Sequence, residues 1–182
     1  YKEVKRCAEK FKKDINVLVG LEVDYHRNYI NFIKDIISRY DFDYILGAIH
    51  YVYINGERIN TWDIEKLGVK GYFSTYISNV EEMTGCGLFD AIAHPDTLLS
   101  GDIQPKMFEK EILNIFKEIK NNCISYELNC SAHRKNYYNG ESKNVQLGHS
   151  RYPSLPLIGK LNDLGVSFTI GSDSHTPEDV SS

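Results

Sequence analysis

Carboxylate and imidazole side chains recur where short apolar segments of this 182-residue sequence end. The residues concerned are Glu22, His50, His94, Asp173 and His175. Imidazole and carboxylate suit zinc, manganese or iron, and the lack of cysteine at these positions argues against a structural zinc site of the cysteine type. If the fold brings these groups together, cations would relieve their desolvation and mutual repulsion. The pattern therefore predicts a site for divalent metal ions.

Each of these residues also has a structural interpretation when it is taken alone. A histidine at the end of a strand is more often hydrogen-bonded than metal-bound, and Glu22 could pair with a lysine. Asp173 could cap a helix that begins after Pro177. The joint pattern is what favours the metal site. Arg134 follows the fourth apolar segment, where it could bind a phosphate through two hydrogen bonds or form a surface salt bridge.

The apolar segments that carry these residues alternate with amphipathic ones. Short runs rich in valine, isoleucine and leucine predict strands over 16–25, 44–51, 89–94, 123–130 and 166–170. Helical spacing of apolar residues predicts helices over 1–13, 29–40, 72–83, 105–120 and 154–164, with loops over 55–68 and 131–151. This alternation predicts an α/β fold with a parallel sheet, either an open doubly wound sheet or a (β/α) barrel. In both architectures the carboxyl ends of the strands open on one face.

The composition is that of a globular protein rather than a disordered or fibrous one. Hydrophobic residues make up 42% of the chain, and 25 acidic against 21 basic residues give a net charge of −4. The acidic balance argues against a nucleic-acid partner, and no apolar run is long enough to predict a membrane span. The four cysteines form no C-x-x-C pair, which favours reduced thiols and a cytoplasmic location.

Six segments, in this order, resemble the polymerase-and-histidinol-phosphatase (PHP) family, and within it the histidinol-phosphate phosphatases. They are 20–25 (GLEVDY), 47–51 (GAIHY), 91–96 (AIAHPD), 127–129 (ELN) followed by Arg134, 152–154 (YPS) and 171–175 (GSDSH). The resemblance extends over almost the whole chain from about residue 15. It implies a distorted seven-stranded (β/α) barrel of the TIM-like kind, which holds up to three divalent metal ions.

The resemblance also implies a role for each candidate site residue. Metal-ligand positions fall on Glu22, His50, His94, Asp173 and His175. Glu22 is expected to bridge two ions, and Arg134 to bind phosphate. The family's His-x-His pair is absent from these 182 residues, so we expect them to be a piece of a longer chain. They would form a single PHP barrel domain that is incomplete at the N-terminus. Of the family's metal sites, this piece would keep the complete ligand set only for the ion bound by Glu22, His50 and His94.

The activity implied by the resemblance is that of a metal-dependent phosphomonoesterase. The expected reaction is hydrolysis of L-histidinol phosphate to L-histidinol and phosphate, a step of histidine biosynthesis. Two alternatives stay open: a PHP-type phosphoesterase for another small phosphate or a nucleotide, and a metal-binding barrel that is catalytically incomplete. The expected partner is a small phosphate ester, with no nucleic acid and no membrane.

Overall fold

A five-stranded parallel sheet organises the chain. The structure is a computed structural model that describes residues 1–61, 71–95, 109–131 and 155–181. Its strands are β1 (Gly20–Asp24), β2 (Tyr44–Ala48), β3 (Tyr51–Ile54), β4 (Glu57–Asn60), β5 (Ala91–Ile92), β6 (Ser125–Asn129) and β7 (Phe168–Gly171). The parallel sheet has the order β1-β2-β5-β6-β7, and β3 and β4 form a separate antiparallel pair.

In the described ranges, one helix precedes β1 and four helices lie in the connections between strands of the parallel sheet. They are α1 (Lys2–Phe11), α2 (Ile30–Ser38), α3 (Tyr72–Gly85), α4 (Glu109–Asn121) and α5 (Leu155–Asp163), with 3-10 turns at Arg27–Tyr29 and Pro177–Ser181. None of the helices in the described ranges combines the length and apolar character needed to cross a bilayer. The predicted α/β fold with a parallel sheet is therefore confirmed. Within the described ranges β1 and β7 are its two edges.

The β3–β4 hairpin replaces part of a predicted loop. The prediction of a loop over 55–68 is wrong for residues 57–60, which pair with β3 in the register Tyr51 to Asn60 and Ile54 to Glu57. The turn residues Asn55 and Gly56 have φ values of 53° and 83°, the left-handed conformation that an Asn-Gly turn adopts in two-residue hairpins. Residues 62–68 lie outside the described residues.

Strand register decides which side chains share a face of the sheet. Glu22 pairs with Leu46, Leu46 with Ala91, and Ala91 with Ser125, so these residues share one face. Side chains two positions apart in a strand point the same way, which places Asp24 and Glu127 on that face too. The sequence alternation thereby directs the carboxylates of β1 and β6 to one side of the sheet.

The opposite face packs on α3 and α4 and forms the hydrophobic core. Tyr126 is fully buried there, with its ring centroid 6.0 Å from that of Phe116 and 6.3 Å from that of Phe168. Gly47 of β2 lies so close to α3 that an added Cβ would meet Met83 Sδ at 2.8 Å and Phe89 Cγ at 2.9 Å. The missing side chain at this position is what allows α3 to approach the sheet.

We expect Gly47→Ala to lower the free energy of unfolding by about 1–3 kcal/mol, because the added methyl group overfills a packed core. Gly85→Ala is the matched control, since a Cβ at Gly85 meets nothing within 4 Å. It should raise stability or leave it unchanged. Urea unfolding followed by circular dichroism measures both, and equal effects of the two substitutions would contradict this packing.

Candidate metal centre

Three of the five predicted ligands meet at the carboxyl ends of adjacent strands. Glu22 lies in β1, while His50 and His94 each follow the last residue of β2 and β5 by two positions. His94 Nε2 is 3.2 Å and His50 Nε2 is 3.5 Å from Glu22 Oε1. The three donor atoms all lie within 4.8 Å of one another. The parallel pairing of β1, β2 and β5 is what brings them together.

Two of these separations match the spacing of ligands around one cation. Two ligands at the usual zinc bond length, about 2.1 Å, lie about 3.4 Å apart around a tetrahedral ion. The distances from Glu22 Oε1 to the two imidazole nitrogens are close to that value. His94 is buried, whereas the side chain of Glu22 is 40% exposed, so solvent reaches one side of the group. Two imidazoles and one carboxylate could therefore bind one divalent ion and leave a coordination position open to water or substrate.

Asp24 orients His50, and the ligand prediction did not include it. Asp24 Oδ1 accepts a hydrogen bond from the backbone N–H of His50 at 2.9 Å and lies 3.3 Å from His50 Nδ1. The ring is thereby held with Nε2 towards Glu22. The hydrogen bond between the Asp24 carboxylate and the His50 ring raises the pKa of His50. Partial burial of the ring lowers this pKa, whereas the charges of Asp24, Glu22 and Asp173 raise it further. A carboxylate behind a ligating histidine is a common partner of metal sites.

The hairpin also fixes the backbone of His50. The N–H of Thr61, which follows β4, donates to the carbonyl oxygen of His50 at 2.9 Å. The Thr61 hydroxyl donates to the same oxygen at 3.2 Å, and the residue is buried. His50 therefore has its carbonyl tied to the hairpin and its N–H tied to β1.

Glu127 is a second carboxylate that the predicted ligand set left out. It is 5% exposed, and its Oε2 accepts the backbone N–H of His94 at 2.9 Å and the side-chain N–H of Asn129 at 3.3 Å. Burial raises the pKa of the Glu127 carboxyl, while the charge and N–H of His94 and the bond from Asn129 oppose that rise. In the sequence, the polar residues Ser125, Glu127 and Asn129 lie two positions apart along β6, which indicates that they share one face of the sheet.

Asp173 and His175 lie outside the group of three. His175 is 81% exposed at its side chain, and its Nδ1 lies 3.8 Å from Asp173 Oδ1 and 3.0 Å from the Asp173 carbonyl oxygen. The charge of Asp173 nevertheless raises the pKa of His50, so the carboxylate lies within electrostatic reach of the site. Asp179 Oδ2 accepts N–H bonds from His175 and Thr176, which fixes the turn that follows β7.

Arg134, the predicted phosphate ligand, falls in 132–154, outside the described residues, as does the 152–154 motif. The four cysteines, Cys7, Cys86, Cys123 and Cys130, are free thiols.

A groove of about 460 Å³ runs along β1 and α2 and reaches Glu22 and Asp24.

Several proteins of known name are similar to this chain. "Probable histidinol-phosphatase" of Deinococcus radiodurans is 26% identical over 184 residues, which cover 98% of this chain and 65% of that protein. Proteins of the same name from Schizosaccharomyces pombe and Clostridium acetobutylicum are 24% and 27% identical and are covered over 60% and 68% of their lengths. The chain thus spans about two thirds or less of the relatives it matches.

Two solved structures share the fold. A protein of Listeria monocytogenes superimposes with a TM-score of 0.75 at 17% identity, over 99% of this chain and 71% of that chain. Histidinol phosphate phosphatase from Lactococcus lactis, solved with zinc, L-histidinol and phosphate, gives a TM-score of 0.67 at 17% identity, over 96% and 65%.

A family model described as "PHP domain" matches residues 1–131. That stretch contains β1 to β6, and with them Glu22, His50 and His94. Since the match covers well over half of the 182 residues, the chain belongs to the PHP domain family.

Proposed function

We propose that the protein is a metal-dependent phosphomonoesterase that hydrolyses L-histidinol phosphate to L-histidinol and phosphate in the cytoplasm, as a step of histidine biosynthesis. The observation that carries this proposal is the meeting of Glu22, His50 and His94 at the strand ends. The names of three relatives and the ligands of the Lactococcus lactis structure support the substrate. Residues 1–182 would belong to one PHP barrel domain.

In this proposal Glu22, His50 and His94 hold one divalent ion. Zinc, manganese and iron all suit two imidazoles and a carboxylate, and zinc is the ion of the Lactococcus lactis structure. A bound divalent ion supplies Lewis-acid chemistry: it lowers the pKa of water and polarises the phosphoryl group. Asp173 and His175 would serve further ions, up to three in all, with Glu22 shared between two of them.

Electrostatics support a cation requirement for a phosphate substrate. Three carboxylates, Glu22, Asp24 and Asp173, act on His50 and make this end of the sheet negative. A phosphate monoester is itself an anion, so the bare site would repel it. Divalent ions among these groups reverse the sign of the local charge. Arg134 would add a donor that grips the phosphate through two hydrogen bonds.

We expect the full-length protein to contain at least one equivalent of divalent metal per chain, and Glu22→Gln to remove at least one equivalent. The amide oxygen of glutamine carries no charge, so it binds cations more weakly than the carboxylate. Glu57→Gln is the control, because Glu57 is an exposed carboxylate on β4. Elemental mass spectrometry after gel filtration measures the content, and equal metal in the parent and Glu22→Gln would contradict the assignment.

We expect the full-length protein to release phosphate from L-histidinol phosphate with a higher kcat/KM than from nucleoside monophosphates. The rate should change little between about 50 and 200 mM salt, whereas binding of a polyanionic nucleic acid would weaken steeply over that range. A colorimetric phosphate assay measures both. Better turnover of nucleotides would favour the alternative phosphoesterase, and no turnover by a metal-loaded protein would favour the catalytically incomplete barrel.

Arg134→Ala should lower kcat by about 10²–10³-fold, by analogy with the loss of one oxyanion donor, because a charged donor to the transferred phosphoryl group is removed. Metal content should stay at the parent value, since an arginine is not a metal ligand. Parallel phosphate-release and metal assays test this, and an unchanged kcat would remove Arg134 from the phosphate site.

A further inference from the structure

His94 has a backbone conformation that histidine rarely adopts. Its φ angle is 32°, in the left-handed region that L side chains disfavour, and Pro95 follows it. Residues in such conformations persist where the surrounding structure holds them, and they cluster at functional sites. His94 also supplies the Nε2 atom that lies 3.2 Å from Glu22 Oε1. The backbone at this residue therefore sets the direction of a proposed ligand.

Three hydrogen bonds hold the chain on both sides of His94. The N–H of Ala93 donates to the carbonyl of Gly47 at 2.8 Å, and the hydroxyl of Tyr76 donates to the carbonyl of Pro95 at 2.7 Å. Between them, the N–H of His94 donates to Glu127 Oε2 at 2.9 Å. The first two bonds fix the neighbouring residues, and the third acts on the backbone of His94 itself. That bond also gives the buried N–H of the turned residue a carboxyl oxygen as its acceptor.

Glu127 is in turn fixed from two directions. Asn129 donates its side-chain N–H to Glu127 Oε2 at 3.3 Å, and Asn129 Oδ1 accepts the backbone N–H of Ser131 at 2.8 Å. On the other side lies Gly171 of β7, where an added Cβ would sit 1.8 Å from Glu127 Oε1. Gly171 is not among the residues with positive φ. Its backbone therefore tolerates alanine, and the missing methyl group is what leaves space for Glu127.

We propose that Glu127 is a positioning residue for the metal centre: it accepts the His94 N–H and so holds the left-handed backbone that aims the imidazole at Glu22. Gly171 leaves the space in which the Glu127 carboxylate lies. Glu127 acts on the backbone of His94 and is not itself proposed as a ligand. The inference rests on the proposed function, because it concerns how His94 is presented to a divalent ion.

The test is the dissociation constant of Zn²⁺ from the full-length protein, measured by competition with a chelating dye. Glu127→Ala should weaken binding about 10–100-fold, the usual effect of removing a group that orients a metal ligand. Glu127→Gln should bind Zn²⁺ much more tightly than Glu127→Ala, because its amide oxygen still accepts the same N–H. Gly171→Ala should resemble Glu127→Ala, because the methyl group displaces the carboxylate.

Double substitutions separate positioning from a merely structural role. In a His94→Ala background, Glu127→Ala should cause no further loss of Zn²⁺ affinity, because the side chain it positions is gone. Gly171→Ala should likewise add little to Glu127→Ala. If Glu127 had only a structural role, Glu127→Ala would lower the Zn²⁺ affinity in the His94→Ala background as well. Urea unfolding of each metal-free variant shows whether that variant is folded. If Glu127→Ala does not fold, the Zn²⁺ affinities of Gly171→Ala and Glu127→Gln still test the positioning role.

The outcomes distinguish this inference from the proposed function. A parent protein whose Zn²⁺ affinity is unaffected by Glu22→Gln and His94→Ala would overturn the proposed metal centre, and this inference with it. A parent that loses affinity with His94→Ala but not with Glu127→Ala or Gly171→Ala would overturn this inference alone. Equal losses in Glu127→Gln and Glu127→Ala would also overturn it, since the hydrogen-bond acceptor would then be irrelevant.

Discussion

The register of three parallel strands forces a carboxylate and two imidazoles into contact, and the rest of the site follows from that constraint. Glu22 Oε1 lies within 3.5 Å of a nitrogen of both His50 and His94. A carboxylate oxygen and an imidazole nitrogen at this distance share either a proton or a cation. The Asp24 and Asp173 carboxylates add to the negative potential at His50. The fold thus fixes in place a set of groups whose mutual energy improves when a divalent ion binds.

Much of this arrangement could be predicted from the sequence, because it depends on local features. The apolar segments marked the five parallel strands, and the strand ends marked Glu22, His50 and His94. The ligand prediction did not include Asp24 and Glu127, because each acts through the backbone N–H of a histidine that follows another strand. Such bonds depend on strand order and register, which a single sequence does not specify. The β3–β4 hairpin carried a local signal, Asn55-Gly56, that the prediction of a loop over 55–68 did not use.

His175 shows why a position after a parallel strand does not by itself bring a side chain to the metal centre. Asp173 and His175 both follow β7, as predicted, but Asp173 has a φ of 48° and the chain then turns into Pro177–Ser181. His175 is left exposed, with its N–H bonded to Asp179. The direction of a side chain beyond the last strand residue is set by the turn that follows. His94 is the opposite case, because a left-handed residue that costs about 1–3 kcal/mol is held in place by its neighbours and points inward.

The most direct test is anomalous diffraction at the zinc edge from crystals of the full-length protein grown with Zn²⁺. The account predicts an anomalous peak about 2.0–2.2 Å from Glu22 Oε1 and from the Nε2 atoms of His50 and His94. An ion at that point would show that the strand register builds a metal centre. Ordered side chains with no anomalous density between them, and zinc bound elsewhere on the protein, would contradict it.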